Sequence, residues 1–182
     1  IDFDNTIVCY DAVFHRLALE RQLISANVPM TKQAVRDELR SNGKEQDWIE
    51  LQGEVYGARM DEAIPFEGVL EFLRKCDRDG QKYFIVSHKT ERPVAGQPYD
   101  LHKEAKNWLA NHGLPSLNQD GVYFETIRPL KHDRIKRLGC THFIDDLPEF
   151  LTADQFPQGV ERLLFDPMEA CEPDSRIFSV KS

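Results

Sequence analysis

Short apolar runs that end in polar or acidic residues, separated by stretches with helical spacing, constrain this chain most. The segment 1–4 (IDFD) ends in carboxylates, 82–87 (KYFIVS) ends in Ser87, and 141–146 (THFIDD) ends in Asp145 and Asp146. GVYF at 121–124 and VERLLF at 160–165 are further strand candidates, and 176–180 reads as an edge strand. Between them, Val69, Phe72, Leu73 and Cys76 share one helical face, with Gly80 as a stop. Leu101, Ala105, Trp108 and Leu109 share another, ending near Gly113, and 130–138 forms a shorter helix. Strands alternating with amphipathic helices predict a parallel sheet with right-handed crossovers. In open sheets of this kind a ligand binds beyond the carboxyl ends of the strands. The polar strand ends are therefore expected to meet in one crevice.

The stretch 11–60 breaks the alternation. Phe14, Leu17 and Ala18 keep helical spacing, as do Trp48, Leu51 and Val55, while Thr31 is a candidate N-cap and Asn42-Gly43 a break. It is too long for a simple crossover. The fold expected is α/β: a Rossmann-like parallel sheet sandwiched by helices, formed by 1–10 and 65–182, with a small helical cap, 11–64, inserted after the first strand. A buried first strand normally carries several apolar residues ahead of such an acidic pair. The natural chain is accordingly expected to have a few residues before Ile1.

Composition narrows the partners. The 182 residues carry a net charge of -8, which argues against nucleic acid or an anionic membrane held by bulk electrostatics. No apolar run is long enough to span a bilayer. Cys9, Cys76, Cys140 and Cys171 are scattered without a CxxC pair, as expected of reduced thiols in a cytoplasmic protein. The histidines lack metal-ligand spacing.

Asp2 and Asp4 are two apart, so in an extended segment their side chains face the same way. Paired carboxylates can divide labour between nucleophile and general acid–base. Clustered carboxylates repel one another unless a cation joins them, and hard oxygen donors favour magnesium. Asp145 is the natural third carboxylate.

At this level the chain resembles the haloacid dehalogenase superfamily. Asp2-Phe3-Asp4-Asn5-Thr6 is similar to its first motif, Asp-x-Asp-x-Thr after the first strand, with Asn5 where Gly is commoner. Phe84-Ile85-Val86-Ser87 resembles the second, Lys131 in Pro129-Leu130-Lys131 the third, and Phe143-Ile144-Asp145-Asp146 the fourth. The four follow the superfamily's order, although the third lacks the frequent Lys-Pro form. The resemblance implies a magnesium-dependent phosphohydrolase acting on a small phosphorylated metabolite through an aspartyl-phosphate. It implies that Asp2 attacks phosphorus, Asp4 is acid then base, Ser87 holds the phosphoryl group and Lys131 offsets negative charge. It implies magnesium on the Asp2 carboxylate, the Asp4 carbonyl and Asp145, with Asp146 acting through water.

Thr6, His88, Lys89 and Arg128 are candidate substrate contacts. Lys89 rivals Lys131 for the third motif but is expected to be solvent-exposed or in contact with substrate. Asp146 serves equally well as N-cap for a helix around Pro148. In the cap, Asp47, Trp48, Gln52, Tyr56 and Arg59 are candidates, with packing favoured for Trp48. Phosphoryl transfer to another alcohol, as in a mutase, and a catalytically silent binding domain are the competing readings.

Overall fold

A computed structural model describes residues 1–113 and 121–181. The described chain is mixed α/β, with seven α-helices and short parallel strands. In order these are β1 (Val8–Cys9), α1 (Asp11–Glu20), α2 (Lys32–Ser41), α3 (Glu45–Tyr56), β2 (Ile64–Pro65), α4 (Val69–Arg78) and β3 (Ile85–His88). There follow α5 (Leu101–Asn111), β4 (Val122–Glu125), α6 (Arg128–Arg137), β5 (His142–Asp145), α7 (Pro148–Leu151), β6 (Glu161–Phe165) and β7 (Phe178–Val180). Among the described residues no helix is long and apolar enough to cross a membrane.

The chain divides into two compact units. One, the core unit, joins Ile1–Val8, Pro65–Lys89 and Leu114–Ser182. The other, the helical unit, joins Cys9–Ile64 and Thr90–Gly113. The sequence placed all of 65–182 with the sheet, so the second helical segment is a difference. Its reason is visible in α5. Trp108 is buried, and its indole N–H donates to the Ala63 carbonyl at 2.8 Å. The loop ahead of α5 lies on α3, where a methyl group on Gly53 would meet the Ala95 carbonyl oxygen at 2.8 Å. Polar rims and an apolar stripe made α5 look like any sheet-covering helix, because periodicity does not say what a stripe packs on.

In the helical unit α1, α2 and α3 bury Phe14, Leu17, Val35, Leu39, Trp48, Leu51 and Val55. Trp48 stacks on Phe14 with centroids 5.0 Å apart, so it packs as expected. Thr31 caps α2, its hydroxyl accepting from the Ala34 N–H at 3.1 Å.

In the core unit β3 pairs in parallel with β4, and β5, β6 and β7 pair in parallel in that order. Residues 1–4 hydrogen-bond on both flanks. The Ile1 nitrogen donates to the Phe84 carbonyl at 2.9 Å and the Val86 N–H donates to the Ile1 carbonyl at 3.0 Å. On the other side the Asp2 N–H donates to the Ile144 carbonyl at 2.8 Å. Val86, Ile135, Phe143, Phe150, Leu151, Phe156, Leu164 and Ile177 form an apolar cluster within this unit. Each such side chain contributes roughly 1.5–3 kcal/mol by leaving water. β3 starts at Ile85, three residues later than the run KYFIVS suggested, and α6 starts at Arg128 with proline in its first turn.

Candidate active site

Local geometry sets out the first acidic pair. After Phe3 the chain turns sharply, with Ile7 and Val8 N–H both donating to the Phe3 carbonyl at 3.0 and 3.1 Å. Asn5 occupies the left-handed region at φ 61, which asparagine tolerates better than most residues with a Cβ. The turn leaves Asp2 and Thr6 buried and Asp4 half-buried.

Asp2 and Asp145 meet at the ends of their segments. Lys131, in the first turns of α6, donates from Nζ to Asp2 Oδ1 at 2.6 Å and to Asp145 Oδ2 at 2.5 Å. All three are buried, Asp145 to 0% exposure. Carboxylate oxygens of Asp2, Asp145 and Asp146 lie within 4.8 Å of one another. Thr6 Oγ1 donates to Asp146 Oδ1 at 3.5 Å, and the Leu147 N–H donates to Asp145 Oδ1 at 3.0 Å. Asp146 is therefore not the cap of α7; Leu147 holds that position without a side-chain cap.

The electrostatics follow from burial. Loss of water, then the Asp2 carboxylate, push the Asp145 carboxyl up to about 6, with Lys131 pulling the other way. For Lys131 burial disfavours the charge, but Asp2 and Asp145 outweigh it and the shift is upward. The ammonium also lies 4.1 Å from the centroid of the Phe150 ring and 5.4 Å from that of Phe143, within cation–π range.

Lys89 departs from expectation. It is 4% exposed, not solvated, and its Nζ donates to Asp4 Oδ1 and Oδ2 at 3.0 and 2.9 Å. A lysine is buried this far only when a partner offsets its desolvation, and Asp4 is that partner. The two lysines thus divide the acids, Lys131 on Asp2 and Asp145, Lys89 on Asp4. Ser87 is buried at the end of β3 in register with Phe124. His88 is exposed, with Nε2 3.1 Å from the Thr126 carbonyl oxygen, and Arg128 is exposed at the first position of α6. Nothing in the sequence pattern marks Phe150 as lying against Lys131, because an aromatic two residues after a proline reads as ordinary core.

The donor set fits a hard divalent cation. Three carboxylates from two distant segments converge beside the Lys131 ammonium, a hard-oxygen set of the kind a divalent cation takes. Compared with protein-family models, curated proteins and solved structures, the chain matches none.

Proposed function

We propose that this chain is a magnesium-dependent phosphohydrolase of the haloacid dehalogenase type, acting on a small phosphorylated metabolite. One observation carries the reading. Asp2 and Asp145, far apart in sequence, share the ammonium of Lys131, with Asp146 within 4.8 Å of both. The backbone bonds of 1–4 support a strand order of β4, β3, 1–4, β5, β6, β7. That order is Rossmann-like, and its direction reverses between 1–4 and β5, where ligands of open α/β sheets bind.

In this reading an Asp2 oxygen attacks phosphorus as the bond to the leaving oxygen breaks, and Asp4 gives that oxygen its proton. Water then attacks the aspartyl-phosphate, Asp4 takes the water's proton, and the bond from phosphorus to Asp2 breaks. The Ser87 hydroxyl donates to the phosphoryl group, and Lys131 keeps Asp2 and Asp145 together against their repulsion. Asp2, Asp145 and Asp146 would hold magnesium, which when bound supplies positive charge beside the transferred group.

The test is phosphate release from an aryl phosphate with magnesium. The wild-type chain is expected to turn over, magnesium removal to stop it, and Asp2→Asn to lower the rate by several orders of magnitude. Equal rates for wild type and Asp2→Asn sink the proposal.

A further inference from the structure

Lys89 is fixed by its backbone before its side chain makes any choice. Its N–H donates to the Glu125 carbonyl at 2.9 Å, extending the pairing of β3 with β4 by one residue. The side chain then runs inward, with Nζ 5.5 Å from the centroid of the Phe3 ring. There it meets both oxygens of Asp4 at nearly equal distances, 3.0 and 2.9 Å. A single ammonium spanning both oxygens fixes the rotation of the carboxylate. Unrestrained, a short acidic side chain two residues from Asp2 has a competing use as a ligand for the same cation. The residue reading for Asp4 needs the opposite: one oxygen presented to the leaving group, then to water.

We infer that Lys89 is a positioning residue for Asp4, holding the acid–base carboxylate out of the Asp2, Asp145 and Asp146 cluster and aimed at the leaving oxygen. This rests on the phosphohydrolase reading above. In turnover Lys89 releases one Asp4 oxygen, which exchanges the proton, and stays on the other. That proton moves from Asp4 to the leaving oxygen as the phosphorus–oxygen bond breaks. A proton from water replaces it when the aspartyl-phosphate is cleaved. Lys89 keeps its own protons throughout.

The inference separates substrates by leaving group. A nitrophenolate departs without a proton, whereas an alkoxide requires one. With magnesium present, Lys89→Met is expected to lower kcat on an alkyl phosphate roughly 10²-fold, the size of a lost acid–base contribution. On a nitrophenyl phosphate its effect is several-fold smaller, and KM changes little on either. Lys89→Arg, which keeps a cation able to span both oxygens, restores part of the alkyl rate. In an Asp4→Asn background Lys89→Met adds no further loss, because the two act as one unit. Urea unfolding checks that each variant folds. Should Lys89→Met not fold, Lys89→Arg carries the same comparison, with alkyl turnover falling more than nitrophenyl turnover.

Equal losses across leaving groups, losses confined to KM, or additivity with Asp4→Asn overturn the inference alone. A wild-type chain inactive on both phosphates, or no faster than Asp2→Asn, overturns the phosphohydrolase reading and this inference with it.

Discussion

A carboxylate stripped of water keeps its proton longer, and Asp145 is the clearest case. Its folded-state value of about 6 lies above the ordinary 3.8. The folded form therefore holds a proton that the unfolded chain has released, so this group's contribution to stability is full below pH 3.8 and is lost as pH rises to about 6. Asp145→Asn is expected to flatten that slope, raising Tm of the metal-free protein above pH 6, and, on the phosphohydrolase reading, to weaken magnesium binding by calorimetry. Lys131 predicts the converse. Lys131→Met leaves Asp2 and Asp145 buried face to face and is expected to cost about 3–5 kcal/mol, read from urea unfolding. Added magnesium should recover part of it. At this scale the sequence marked Asp2, Lys131 and Asp145, which the structure brings together, but was poor about partners. Asp2, Ser87 and Asp145 stood out as polar ends of strand candidates, and Lys131 as a lysine opening a helix before the acidic strand, like the third motif. The pairing of Lys89 with Asp4 did not, since a lysine in a hydrophilic stretch reads as solvated until the backbone at Glu125 is known to turn it inward.

Among the elements, α3 carries a requirement that helix propensity hides. Gly53 lies within the helix, where alanine is ordinarily better by about 1 kcal/mol. Here a Cβ at Gly53 would sit 2.8 Å from the Ala95 carbonyl oxygen and 2.9 Å from Pro93 Cβ. Gly53→Ala is therefore expected to destabilise the protein by about 1–3 kcal/mol, the usual range for overpacking, with a lower urea midpoint as the measurement. The elements themselves were largely legible. Thr31 and Gly80 punctuate as their chemistry dictates, and α1, α2, α3, α4, α5 and α6 fall close to their periodic stripes. Strand limits were not, because KYFIVS is apolar from Tyr83 onward while pairing begins only where β4 lies alongside.

For the molecule as a whole, the helical unit draws on two separated segments, Cys9–Ile64 and Thr90–Gly113. Deleting 9–64 alone strips the cover from α5 and exposes Leu101, Ala105, Trp108 and Leu109, all buried in the intact unit. That variant is expected to bind a hydrophobic dye and aggregate. Deleting 90–113 as well, with short Gly-Ser joins, removes the orphaned face and should restore solubility in gel filtration. The first join is short, since the Phe66 N–H already bonds the Ile7 carbonyl at 2.9 Å. Sequence pattern does not mark the segment 90–113 as part of the helical unit, because a stripe of Leu, Ala and Trp covers a sheet or a helix bundle equally well.

The bond from Asp2 to the Ile144 carbonyl also has a meaning in time. A ribosome adds roughly 5–20 residues per second, so Asp2 emerges on the order of ten seconds before its neighbour in β5 exists. By then the whole of the helical unit has been translated. Nascent chains thus carry Asp2 without its β5 neighbour, and Lys131 and Asp145 join it only after β3 and β4 have been made.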